Sequence, residues 1–135
     1  MGKQIVRVPT ITSKYPVEPR PDKYVIPFAP ELVPLILSGA KVKTYRFGKK
    51  HDYLQVGDQV DLQNYKTQEI ICRAAVTAKE RTTFGRLPLT IPGHETYPNK
   101  ERQRQVFSGY YAYLGRPVAD DDRFLIFEFQ MRDNQ

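Results

Sequence analysis

The chain has 135 residues, 40% of them hydrophobic and 27% charged, with a net charge of +6 and a pI near 9.5. That length fits one domain with one ordinary core, its one cysteine, Cys72, excludes an internal disulfide framework and a four-cysteine zinc site, and no apolar run approaches the roughly 20 residues that span a bilayer. The positive charge favours polyanionic partners, because neutralised phosphates release counterions, but it does not specify fold or chemistry.

Residues 1–23 read as an N-terminal extension. "IVRV" has the composition of a short strand, while "PTITSKYPVEPRPDK" carries four prolines and favours an extended surface path. Within it, "YPVEPRP" has the makings of a proline-rich docking segment. "MGKQIVRVPT" lacks the continuous apolar stretch of a secretory signal, which predicts cytoplasmic residence. "KYVIPF", Lys23 to Phe28, reads as the first core strand. "APELVPLILSG" follows as a short helix: Pro30 suits its first position, Glu31 its positive end, and Gly39 a left-handed cap. Leu32, Leu35 and Ile36 are its expected buried stripe.

"KVKTYRF" is expected as a strand with Val42, Thr44 and Arg46 on one face and Lys43, Tyr45 and Phe47 on the other. Gly57 and Asp58 form a turn before a strand through Val60 and Leu62. "EIICRAAVTAKERTTF" is the longest β candidate, with Ile71, Ala75 and Val76 compatible with burial. "GRLPLTIPGHETYPN" has three prolines and two glycines and must be mostly loop. A helix then opens under a Thr96 or Asn99 cap and runs through "KERQRQVFSGYYAYLG" to Gly115. Val106, Phe107, Tyr110, Tyr111 and Leu114 fall at helical spacing on its apolar face. "ADDD" breaks the chain, and "RFLIFEFQM" closes it as a β-prone strand. No internal repeat occurs. Five or six strands with two helices, and no recurring long strand–helix–strand unit, give an α+β class and favour a small curled, barrel-like sheet over a doubly wound one.

"LSGAKVKTYRFG", Leu37 to Gly48, sets Lys41, Lys43, Thr44 and Arg46 within six residues. Like charges this close repel, so the segment is either simply solvated or built around an anionic or strongly polar ligand. The helix ending in "SG", the pattern Gly-x-Lys-x-x-Thr-x-Arg in "GAKVKTYR", the Val-Gly-Asp turn of "LQVGDQVDL" and the closing "FLIFEF" together resemble the ASCH domains of the PUA-like superfamily. The resemblance covers about residues 24 to 130 and leaves 24–135 as the domain. It implies a pseudo-β-barrel of five to six strands with two flanking helices and a cleft beside the first helix. It also implies binding of RNA, a nucleotide or a modified nucleoside. One branch of that family hydrolyses the amide of N4-acetylcytidine with a Lys, Thr and Glu set and threonine as nucleophile. By motif position Lys41 and Thr44 are the counterparts here, and the loop "IPGHETY" offers Glu95.

Threonine must lose its proton to a neighbouring base before it can attack. Lysine serves as that base only where burial or a nearby cation populates its neutral form. Arg46 and Lys43 are such cations, and Glu95 is suited to protonate a leaving amine or orient water. On a regular strand Lys41 points away from Thr44, so the two meet only if Lys41 precedes the strand or sits at a bulge; Lys43 faces opposite Thr44 throughout. Arg46 is the expected contact for a phosphate or base edge. Tyr113, off the apolar stripe, is the better stacking residue, with Tyr110 expected in the core. Lys100, Arg102 and Arg104 oppose the dipole at the start of the second helix and suggest a phosphate-facing patch, which Arg81 and Arg86 would extend. His94 beside Glu95 reads as a polar loop pair, His51 as a turn residue and Cys72 as a small apolar group. The chemistry calls for no cofactor and no metal.

Overall fold

A computed structural model of the chain describes residues 24–132, so the "IVRV" strand and the "YPVEPRP" segment lie outside the described residues. The elements are β1 (Val25–Phe28), α1 (Val33–Leu37), β2 (Lys43–Phe47), β3 (Gln59–Asn64), β4 (Ile70–Thr83), α2 (Lys100–Tyr110) and β5 (Arg123–Met131), in an α+β arrangement. One five-stranded sheet runs in the order β1-β3-β4-β5-β2. β1 lies parallel to β3, and every other pairing is antiparallel. Among the described residues no helix is long and apolar enough to cross a membrane.

The sheet buries both faces. Ile26, Phe28, Val60, Leu62, Ala74, Val76, Leu125, Phe127 and Phe129 form one core with Ile36 of α1. Tyr45, Phe84, Phe107 and Phe124 form the other, under α2. β5 serves both because its run "FLIFEF" is apolar at alternating positions on each side. Residues opposite each other in an antiparallel pair share a face. Thr44 opposes Phe127 and Arg46 opposes Leu125, so both face the first core; Tyr45 opposes Ile126 and faces α2.

The sheet does not close into a barrel. β1 and β2 are its two edges, with no ladder between them. They approach through side chains instead: the Arg46 guanidinium of β2 lies 4.5 Å from the ring centre of Phe28 on β1. The pseudo-barrel expected from the sequence is thus an open, curled sheet with a seam.

The helices are shorter than their sequence spans. Pro30 starts a 3-10 turn, Pro30–Leu32, that leads into α1. Leu35, expected in the buried stripe, is exposed: a helix of five residues makes under two turns and turns only Ile36 fully inward. Asn99 caps α2, its Oδ1 accepting from the Arg102 amide at 2.8 Å. The α-helix stops at Tyr110; a 3-10 turn, Ala112–Leu114, carries the chain to Gly115 in the left-handed conformation. Tyr110, expected in the core, is exposed because it ends the helix and rests only its ring edge against Phe107.

Candidate functional site

The seam between β1 and β2 opens a cleft of about 410 Å³. Lys41 precedes β2, which removes the alternation that would have aimed it away from Thr44. Its amide donates to the Leu35 carbonyl at 3.0 Å, folding the segment back after α1. The side chain then turns inward and is only 3% exposed. Its Nζ donates to the Lys43 carbonyl at 2.7 Å and to Glu95 Oε2 at 2.6 Å.

Glu95 reaches this point because the loop before α2 is pinned to the start of β2. The Gly93 carbonyl accepts from both the Val42 and Lys43 amides, at 2.9 and 3.0 Å. Gly93 has φ +85°, and a Cβ there would lie 2.6 Å from Val42 Cγ2, so only glycine fits. Thr44 is buried and its Oγ1 accepts from Arg46 Nε at 3.0 Å. The cleft thus gathers Lys41, Thr44, Arg46 and Glu95 from one short segment and one distant loop.

Burial sets the electrostatics. It pulls the Lys41 amine down to about 8, against the pull of the Glu95 carboxylate and with a further push from Arg46. Burial also lowers the Arg46 guanidinium. For Glu95, burial is the strongest influence and opposes ionisation, but the charge and hydrogen bond of Lys41, with lesser contributions from His94 and the backbone, together hold the carboxyl below its ordinary range. His94 is driven down to about 4 by burial and then by Lys41, so it is neutral at pH 7. Its ring lies flat on Tyr45, with centroids 3.8 Å apart and planes 7° apart, and its Nδ1 is 3.0 Å from the Glu95 carbonyl. A neutral ring in that contact carries its proton on Nδ1, leaving Nε2 as an acceptor.

Of the other expected site residues, Tyr113 stands at the cleft mouth, 76% exposed, beside Tyr65, Tyr110 and Lys50. Lys43 does not line the cleft; it contributes its carbonyl to Lys41. Lys100 and Arg104 reach inward over the Phe84 ring. Lys100 donates to the Phe84 and Leu87 carbonyls and to Gln103, and Arg104 to the Val118 carbonyl and Asp120. Arg102 bonds Gln105 on the outer face of α2, where it lines a separate hollow with Arg104 and Ser108. Arg81 pairs with Asp52. His51 sits in a turn, as expected, yet is buried, and burial lowers it to about 4. Cys72 is half-buried against Met131. No cluster of three or more potential metal ligands occurs among the described residues. Gly93 and Tyr45 carry parts of the site that no motif marked; the one available signal was Gly93 lying two residues before Glu95.

This order of elements, on an open sheet with a cleft at its seam, is the fold of the ASCH domains. The chain superposes on an ASCH domain from Lactobacillus crispatus with a TM-score of 0.56 at 20% identity, over 75% of this chain and 70% of that one. A DUF984 protein from Enterococcus faecalis gives a TM-score of 0.58 at 16% identity, over 76% and 68%. ASCH from Zymomonas mobilis gives 0.51 at 19%, over 84% and 71%. No family model and no curated protein matches the chain.

Proposed function

We propose that the chain is an amidohydrolase that removes an acyl group from the exocyclic amine of a cytosine-type nucleoside. Thr44 is the nucleophile, Lys41 its base, and Glu95 the ionised carboxylate that holds Lys41 in place and orients the water of the second step. One observation carries this reading: the 2.6 Å contact between Lys41 Nζ and Glu95 Oε2, made across 54 residues of sequence inside a cleft that Thr44 also lines. The half-buried Glu95 carboxylate offers a phosphate no favourable contact and takes up the charge of Lys41, so this floor suits an uncharged base better than a nucleic-acid backbone. The volume matches one small ligand.

Thr44 Oγ1 already accepts from Arg46, so its own proton is free to leave, and the guanidinium favours the developing alkoxide. With its pKa near 8, about a tenth of Lys41 is neutral at pH 7. That neutral amine takes the Thr44 proton. The oxygen attacks the acyl carbonyl, and the proton passes to the departing exocyclic nitrogen, releasing the nucleoside and leaving an acyl ester on Thr44. Water then cleaves the ester, returning the hydroxyl and releasing the acid. The Arg46 Nη groups, unbonded among the described residues, are suited to steady the tetrahedral oxyanion.

A second reading, an RNA- or nucleotide-binding cleft, is favoured by Arg46 and Lys50 in the lining and by the exposed Tyr65 and Tyr113 at the mouth. Incubation with N4-acetylcytidine followed by chromatography separates the two. The expected result is conversion to cytidine and acetate, lost in Thr44→Ala. Intact nucleoside, together with RNA binding that weakens steeply with salt and in Arg46→Ala, would put the second reading in its place.

A further inference from the structure

The outer edge of β2 holds a gap one residue long. Phe129 N–H donates to the Val42 carbonyl at 2.8 Å and Gly48 N–H to the Arg123 carbonyl at 2.7 Å. The register places Thr44 and Arg46 in the same phase, opposite Phe127 and Leu125. In an antiparallel ladder the alternate residues, Lys43, Tyr45 and Phe47, therefore turn their N–H and C=O groups away from β5. Lys43 is capped on both groups and Phe47 at its N–H. Lys43 N–H meets the Gly93 carbonyl and its own carbonyl meets Lys41 Nζ, while Phe47 N–H meets the Tyr111 hydroxyl at 3.1 Å.

Tyr45, between them, has no partner for its outward N–H or C=O among the described residues. Yet it is only 4% exposed, and buried backbone groups are almost always bonded to something. Its hydroxyl is buried and unpartnered as well. A peptide strand cannot fill the place, because it would need Lys43 and Phe47 too. The gap faces the cleft that Tyr45 lines, and it admits a small molecule carrying one donor and one acceptor side by side.

We propose that the Tyr45 backbone reads the hydrogen-bonding edge of a pyrimidine: its carbonyl accepts from the exocyclic N–H and its amide donates to the adjacent ring nitrogen. A cytosine edge offers that pair, and an N4-monoacylated cytosine retains it. The inference rests on the nucleoside reading above and adds the element that selects the base.

The test uses the full 15N-labelled chain with two non-hydrolysable probes, cytidine and N4,N4-dimethylcytidine, and a parallel turnover assay on N4-acetylcytidine. Cytidine is expected to shift the Tyr45 amide resonance and slow its hydrogen exchange. The dimethyl analogue, which lacks the donor, should bind about tenfold more weakly or worse. A backbone ester in place of the Tyr45 N–H should weaken both probes by removing the donor to the ring nitrogen, with Tyr45→Phe separating any part played by the hydroxyl. Turnover with an unmoved Tyr45 amide overturns the inference and leaves the proposed activity standing. A Tyr45 response without turnover supports the inference and removes the activity. Failure of cytidine to bind at millimolar concentration overturns it.

Discussion

Lys41 is where burial and charge pull hardest in opposite directions. Burial favours its neutral form, Glu95 favours the ammonium, and the balance falls near 8. If Lys41 is the base, kcat/KM for N4-acetylcytidine should rise about tenfold per pH unit below that value and level off above it. Glu95→Gln removes the group that raises Lys41, so the plateau should begin at lower pH even as the maximal rate falls. A plateau that stays in place, or moves upward, would detach Glu95 from the titration of Lys41. Lys41 and Thr44 were legible because they share one short segment and a recognisable spacing. Glu95 came only with the resemblance. Tyr45 was illegible as a polar contact, since its backbone groups depend on which side of β2 faces β5. Lys100 and Arg104 read as free cations, but long stems carried their charges to nearby carbonyls and Asp120.

At the scale of elements, the loop holding Glu95 depends on Gly93. An alanine there meets Val42 Cγ2 at 2.6 Å and takes a left-handed φ that β-carbons resist. Gly93→Ala should cost about 1–3 kcal/mol in urea denaturation and depress turnover beyond that loss, because Glu95 is displaced with the loop. Wild-type stability and rate would show that the two amide bonds from Val42 and Lys43 do not position the carboxylate. Strand β3 was readable from alternation, β4 and β5 from their β-prone composition, and α2 from its cap and apolar spacing. The exposure of Leu35 and Tyr110 was not, because periodicity assigns a face without saying where along a short helix the core ends.

For the whole molecule, the two described histidines are both buried and both held near 4. An unfolded histidine takes its proton near 6.5, and the folded ones do so only near 4. The stability they confer is therefore complete above about pH 6.5 and is lost as pH falls toward 4, by roughly 2–3 kcal/mol for each. Urea unfolding at pH 7 and pH 4.5 should reveal this loss before most carboxylates titrate, and His51→Gln should flatten part of the slope. Equal stability at both pH values would mean that neither ring resists protonation. The α+β class and the element order were readable at this scale. Barrel closure was not, because it depends on whether two edges meet by ladder or by side chain.

That last distinction governs how the molecule accommodates a guest. A fully laddered ring has a fixed girth. Here the circumference is interrupted where Arg46 rests on Phe28, and no backbone ladder sets the width of the seam. A guest touching both margins would act as a clasp across that break, so that its binding should stabilise the folded chain.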